Sequence, residues 1–172
     1  AQVRPNPHRA RLAPRGGRRR GANPRSTGGC PLRDWRMQDF RDYAETVATP
    51  GVQGLGDTRV LGRFLRDVAK LNGEQRNFRV FGPDETLSNG LKALFEATNR
   101  QWDAATVPND EWLAPSGRVL ASMLSAHQCA GWLEGSPLPG RAGLLKCSAA
   151  FTHTVDSVSN PHATSAKVHP RQ

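Results

Sequence analysis

"TRVLGRFLRDVAKLNGEQRNFRVFGPDETLSN", Thr58–Asn89, is the stretch on which the fold turns. Its first half sets Val60, Leu61, Phe64, Leu65, Val68, Ala69 and Leu71 on one broad face at helical spacing. Asp57 is placed to cap the start of that helix and Asn72-Gly73 to end it. "NFRVFG" follows, where Phe78, Val80 and Phe81 fit a short buried strand stopped by Gly82-Pro83. "GPDETLSN" then gathers Asp84, Glu85, Thr86 and Ser88 behind a fixed turn. Helix, strand, polar loop and helix in succession predict an α/β layer with a parallel sheet. Ligand sites in such sheets lie beyond the carboxyl ends of the strands, which is where this loop falls. A loop of this composition is as often an ordinary helix cap.

Outward from that stretch, "ETLSNGLKALFEATNRQW" resumes a helical pattern through Leu87, Leu91, Leu94 and Phe95. Asp103 to Gly117 reads as a loop, and "RVLASML" as a strand or a lead-in to the helix that starts near Ser125. Gly131, Gly135, Pro137 and Pro139 interrupt that helix, since an interior proline costs about 3 kcal/mol or more. Residues 1–31 carry five Pro, five Gly and no apolar periodicity, and read as a basic arm or interdomain linker. Residues 164–172 show no core pattern and are expected to be an unstructured tail. There is no internal repeat.

A chain of 172 residues suits one ordinary domain. It has no apolar run of membrane-spanning length, and its N-terminus has no apolar core of a secretory signal. That N-terminus is Arg-rich and acid-poor like a transit peptide, but loaded with Pro and Gly instead of Leu and Ser. The formal charge of +9 is local: residues 1–36 hold ten Arg and one acid, and the remainder holds fourteen basic and fourteen acidic side chains. "RGGRRRG", Arg15–Gly21, could bind phosphate backbones by Coulomb attraction and counterion release. No aromatic is interleaved to stack on bases, so a solvated arm is expected and nucleic acid is not the expected partner. Cys30, Cys129 and Cys147 are too few for a disulfide framework and fit a reducing compartment, with the cytoplasm as the expected location.

His127-x-Cys129 could supply two metal ligands, with Cys147, His153 or His162 completing a set. Structural zinc sites repeat their close pairs and this chain has no second pair, so a helix-start histidine and a buried cysteine are expected, and no metal. As a nucleophile pair the two share one helical turn at a spacing that points them apart. There is no phosphate loop ending in Lys-Ser/Thr, no GxGxxG, and no Gly-Asp-Gly motif followed by paired Asn.

Several stretches together resemble bacterial phosphoketolases: "GRRRGANP" (Gly17–Pro24), "GGCPLRDWRMQDFRDYA" (Gly28–Ala44), "TRVLGRFLRDVAKLN", "NFRVFGPDETLSN", "RQWD" (Arg100–Asp103), "HQCAGWLEG" (His127–Gly135) and "VDSVSNPHA" (Val155–Ala163). They come in that family's order and near its spacing, from about Leu12 to Ala163. The resemblance implies an aldehyde-lyase that uses thiamine diphosphate and magnesium. Its reaction cleaves xylulose 5-phosphate or fructose 6-phosphate with inorganic phosphate, giving acetyl phosphate and an aldose phosphate. It also implies a transketolase-like architecture, with residues 32–163 as part of the pyrimidine-binding domain, and a homodimer with the cofactor at its interface.

On the resemblance, Phe151 matches the aromatic packed against the aminopyrimidine, Asp84 and Glu85 lie in the cofactor-side loop, and Ser88 matches a substrate-pocket hydroxyl. Ser148 stands where the family has a substrate-pocket tyrosine, and Ala142 where it has a histidine. Arg25 replaces the histidine of its Asn-Pro-His. Ala126 occupies the position of the glutamate that activates the cofactor through the aminopyrimidine ring, so no catalytic residue is intact there. Glu134 lies eight residues on, about 12 Å along the same helix, and does not substitute for it. The chain alone is therefore expected to be inactive. A second reading is a non-catalytic module, docking on an intact phosphoketolase or binding nucleic acid through the Arg-rich arm.

Overall fold

A computed structural model describes residues 34–52, 54, 56–137 and 140–168. The expected arm at 1–31 lies outside the described residues. Helix α1 spans Asp57–Leu71, strand β1 Phe78–Pro83, β2 Arg100–Trp102, β3 Val119–Ser122, helix α2 Ala126–Gly135, β4 Ala142–Leu145 and α3 Thr152–Val168. The four strands form one sheet in the order β2-β3-β1-β4, and every pairing is parallel. The expected α/β parallel-sheet class is what the chain adopts.

Side chains alternate across β1, and the alternation builds the two layers. Phe78 and Val80 join Leu65, Val68 and Ala69 of α1, Leu91, Leu94 and Val119 in the buried core. Phe81 faces the other way, where a Cβ at Gly143 would meet Leu133 of α2 at 2.7 Å and the Phe81 ring at 3.0 Å. Helix α2 packs on β1, β3, β4 and α3. The connection from β1 to β2 and that from β3 to β4 thus cover opposite faces, and adjacent β1 and β3 leave their carboxyl ends beside one another. That arrangement is the one in which α/β sheets bind ligands.

Four expectations need correction. The region after β1 is not a second helix: it runs through turns into a short 3-10 segment, Lys92–Glu96, and then becomes β2. Gly90 takes φ +74, and Leu91 N–H donates to Thr86 O at 3.0 Å, which folds the chain back before any helix can propagate. Asp57 is the first helical residue, not the cap, and its carboxylate accepts from Thr58 N–H at 2.7 Å. Leu61 and Leu71 lie on the exposed side of α1. The backbone of 164–168, expected to be an unstructured tail, is the last part of α3.

A segment that runs from Asp34 into the 3-10 turn Phe40–Tyr43 lies along α1. Buried Asn72 holds its backbone at both polar groups, accepting from Arg36 N–H at 3.2 Å and donating to Arg36 O at 2.8 Å. Trp35 packs on Phe78 with ring centroids 5.1 Å apart, and Tyr43 OH donates to Asp67 at 2.7 Å. Among the described residues no helix is long and apolar enough to cross a membrane.

Candidate functional site at the carboxyl edge of the sheet

Because all four strands run the same way, the loops that leave them share one edge. That edge collects Asp84, Glu85 and Ser88 after β1, Asp103 after β2, Ala126 after β3, and Lys146, Ser148 and Phe151 after β4. Asp84, Glu85, Ser88, Ala126, Ser148 and Phe151 thus follow strand ends on this edge, while Ala142 is the first residue of β4 at the other end of the sheet.

Asp84 pairs with Arg100 of β2, whose guanidinium also lies 5.6 Å from the Trp102 ring centroid. Glu85 is half-buried, and its Oε2 is enclosed with no hydrogen-bond partner among the described residues. Thr86 Oγ1 and Asn89 Nδ2 in the same loop are likewise buried and unpartnered. Ser88 is exposed and donates to Glu85 O at 3.2 Å.

Helix α2 starts where its sequence said it would. Ser125 Oγ caps it by accepting from Gln128 N–H at 3.3 Å. Ala126, the first helical residue, is buried, and only a methyl group occupies the place. The carboxylate held at this end of α2 is that of Asp103, which accepts from Gln128 Nε2 at 3.0 Å. Ser122 Oγ lies 3.0 Å from both Asp103 Oδ2 and Gln128 Oε1, and its single proton serves one of them at a time. His127 is exposed and Cys129 is fully buried, so the two diverge as their spacing requires. Burial pushes the Cys129 thiol above its ordinary range, which makes it a packing group and not a nucleophile. No group of three metal-ligating side chains exists among the described residues.

Beyond β4, Ser148 Oγ caps the 3-10 turn Ala149–Phe151, with Ala150 N–H at 3.5 Å. Phe151 keeps 37% of its surface exposed. Lys146 is the residue that sequence reasoning missed. It is 6% exposed, its Nζ donates to Pro83 O at 2.5 Å, and its stem lies across Gly82, where a Cβ would meet Lys146 Cγ at 2.5 Å. Burial lowers its pKa to about 8, against the upward pull of Glu85, Cys129 and Asp84. Arg100, Asp103 and Gln128 were also missed. Their one sequence signal is position: Arg100 and Asp103 sit in or just past β2, which "RQWD" reveals only once β2 is seen, and Gln128 lies in the first turn of α2.

The edge thus offers a buried amine, the enclosed, unpartnered Oε2 of Glu85, the exposed carboxylate of Asp103, hydroxyls and an exposed aromatic, with no acid at the first turn of α2. Residues 59–171 match the family model described as "D-xylulose 5-phosphate/D-fructose 6-phosphate phosphoketolase". The chain is 59% identical over 92% of its length to a probable phosphoketolase of Rhodopirellula baltica. It is 54% identical over 94% to one of Nitrosospira multiformis, and 53% over 91% to one of Nitrosomonas europaea. It spans about 20% of the length of each of these relatives. With a matching family model over most of the chain and relatives more than half identical along nearly all of it, the chain belongs to the phosphoketolase family.

Proposed function

We propose that residues 32–163 are part of the pyrimidine-binding domain of a phosphoketolase, and that the 172-residue chain by itself is catalytically silent. The whole protein's reaction, on this reading, is phosphorolytic cleavage of xylulose 5-phosphate or fructose 6-phosphate to acetyl phosphate and an aldose phosphate. Its cofactors are thiamine diphosphate and magnesium, its assembly is a homodimer, and its compartment is the cytoplasm. Phe151, Asp84 and Glu85 stand on the cofactor side, and Ser88 and Ser148 on the substrate side.

One observation carries the silent reading: the methyl of Ala126, buried at the start of α2, where cofactor activation needs a carboxylate. Thiamine diphosphate supplies a carbanion that attacks carbonyl carbon. The exposed face of Phe151 suits an aminopyrimidine, but the residues around position 126 do not fit an activating site. Asp84 is taken up by Arg100, and Asp103 by Gln128 and Ser122. Glu134 is exposed at the far end of α2. No proton transfer to or from the cofactor is therefore assigned to this chain. A positioned acid–base group contributes roughly 10²–10⁴ in rate, about 3–5 kcal/mol.

The purified chain, given xylulose 5-phosphate, phosphate, thiamine diphosphate and magnesium, is expected to form no acetyl phosphate. The same result is expected for Ala126→Glu in the isolated chain, since one added acid does not supply the rest of a cofactor site. Turnover by the native chain alone would overturn the silent reading.

A further inference from the structure

The opposite, amino-terminal edge of the sheet carries four arginines with no ion pair among the described residues: Arg118, held by the Ala69, Asn72 and Ala97 carbonyls, and three whose charges are less satisfied. Arg79 is the second residue of β1, Arg76 just precedes β1, and Arg141 just precedes β4. The register sets Phe78 opposite Ala142 and Arg79 opposite Gly143. Side chains two apart share a face, so Arg141 lies on the Arg79 face, one diagonal step away. Gly143, directly opposite Arg79, has no side chain of its own, and Leu133 of α2 and the Phe81 ring close over it on the inner side of the pair.

Arg79 is half-buried, and its Nε–H is fully enclosed without a hydrogen-bond partner among the described residues. Arg76 spends one N–H on Ser116 O at 2.6 Å. Every ion pair among the described residues involves other cations: Arg41, Arg63, Arg66, Lys70 and Arg100. Burial first, then Arg141 and Arg76, push the Arg79 pKa down, and no carboxylate pulls it back. An arginine cannot shed its proton at physiological pH, so its charge stays and calls for a counter-charge. Buried charges in proteins are paired, and an enclosed N–H without an acceptor points to a missing ion or water.

We propose that Arg79 and Arg141, with Arg76 at the rim, form a binding site for a phosphate group on the amino edge of the sheet. Guanidinium forks match the oxygens of a phosphate or a carboxylate. Three cations near enough for Arg141 and Arg76 to act on Arg79 favour the doubly charged anion, and hence phosphate over carboxylate. The site lies at the end of the sheet away from Ala126 and the other carboxyl-edge residues, so it stands independently of the phosphoketolase reaction.

The test is titration of the full 172-residue chain, ¹⁵N-labelled, with inorganic phosphate, glycerol 3-phosphate and acetate at ionic strength fixed with chloride. The readout is the side-chain Nε–H resonances of Arg79 and Arg141, because the ten Arg of residues 1–36 also attract phosphate. Saturable shifts of both resonances with inorganic phosphate, weakened at least tenfold by Arg79→Gln or Arg141→Gln, are expected. Response to glycerol 3-phosphate as well would identify a monoester as the source, and response to inorganic phosphate alone the free ion. Arg141→Gln leaves Arg79 in place and keeps the test decisive if Arg79→Gln fails to fold. No saturable shift, shifts unchanged in the folded Arg141→Gln chain, or acetate as effective as phosphate would each overturn the proposal.

Discussion

Lys146 is a residue whose burial has a measurable consequence. Its folded pKa of about 8 lies below the ordinary lysine value of 10.5. Between those values the unfolded chain holds a proton that the folded chain has released, so raising the pH favours the folded state. Stability is expected to rise between pH 8 and 10.5 by up to about 3 kcal/mol, and Lys146→Met is expected to remove that rise. Urea denaturation of both chains across this range checks it, and a native chain whose stability falls as steeply as the variant's would contradict it. The burial itself was not legible. No local pattern in "LLKCS" around Lys146 points to burial, and only the parallel register lays its stem across Gly82. By contrast Ala126, Cys129 and Ser125 were legible, because capping and helical spacing are local properties that tertiary packing did not overrule.

At the scale of elements, α1, β1 and the start of α2 follow from periodicity and caps, while the region between Glu85 and Trp102 does not. Leu87, Leu91 and Leu94 have helical spacing, but the positive φ of Gly90 breaks the run and β2 is fixed by pairing with β3, a contact that no local pattern encodes. The segment before α1 was equally silent, since its attachments reach 36 residues to Asn72 and 24 to Asp67. Asn72→Ala removes hydrogen bonds to Arg36 N–H, Arg36 O and Val68 O. It is expected to destabilise the chain by about 1–3 kcal/mol in urea denaturation and to expose Trp35 further, seen as a red shift in its fluorescence. The Asp67 carboxyl is held at about 2 by Arg66 and by the Tyr43 hydroxyl, against the opposing effect of burial. Its folded pKa lies below the unfolded one, so the contribution is complete above about pH 4 and is lost as the pH falls through 2. Asp67→Asn is therefore expected to narrow the difference in stability between pH 5 and pH 2, and an unchanged acid profile would contradict that assignment.

For the whole molecule, the four-stranded sheet ends in an edge with unusual apolar exposure. Leu87, Met123, Leu124 and Phe151 keep 48%, 68%, 72% and 37% of their surface open around the loops that hold the candidate site. Contiguous exposed apolar residues mark interaction surfaces or lead to association. The purified chain is expected to gain mass with concentration in sedimentation equilibrium, and a monomer over a hundredfold concentration range would count against it. The central claim concerns position 126. Its most direct test replaces the matching segment of a full-length relative with residues 34–168 of this chain, carrying either Ala126 or Ala126→Glu, and compares acetyl phosphate formation. The Ala chimera is expected to stay near background and the Glu chimera to exceed it by up to roughly 10²–10⁴. Equal rates from the two chimeras, both well above background, would contradict the role assigned to that position.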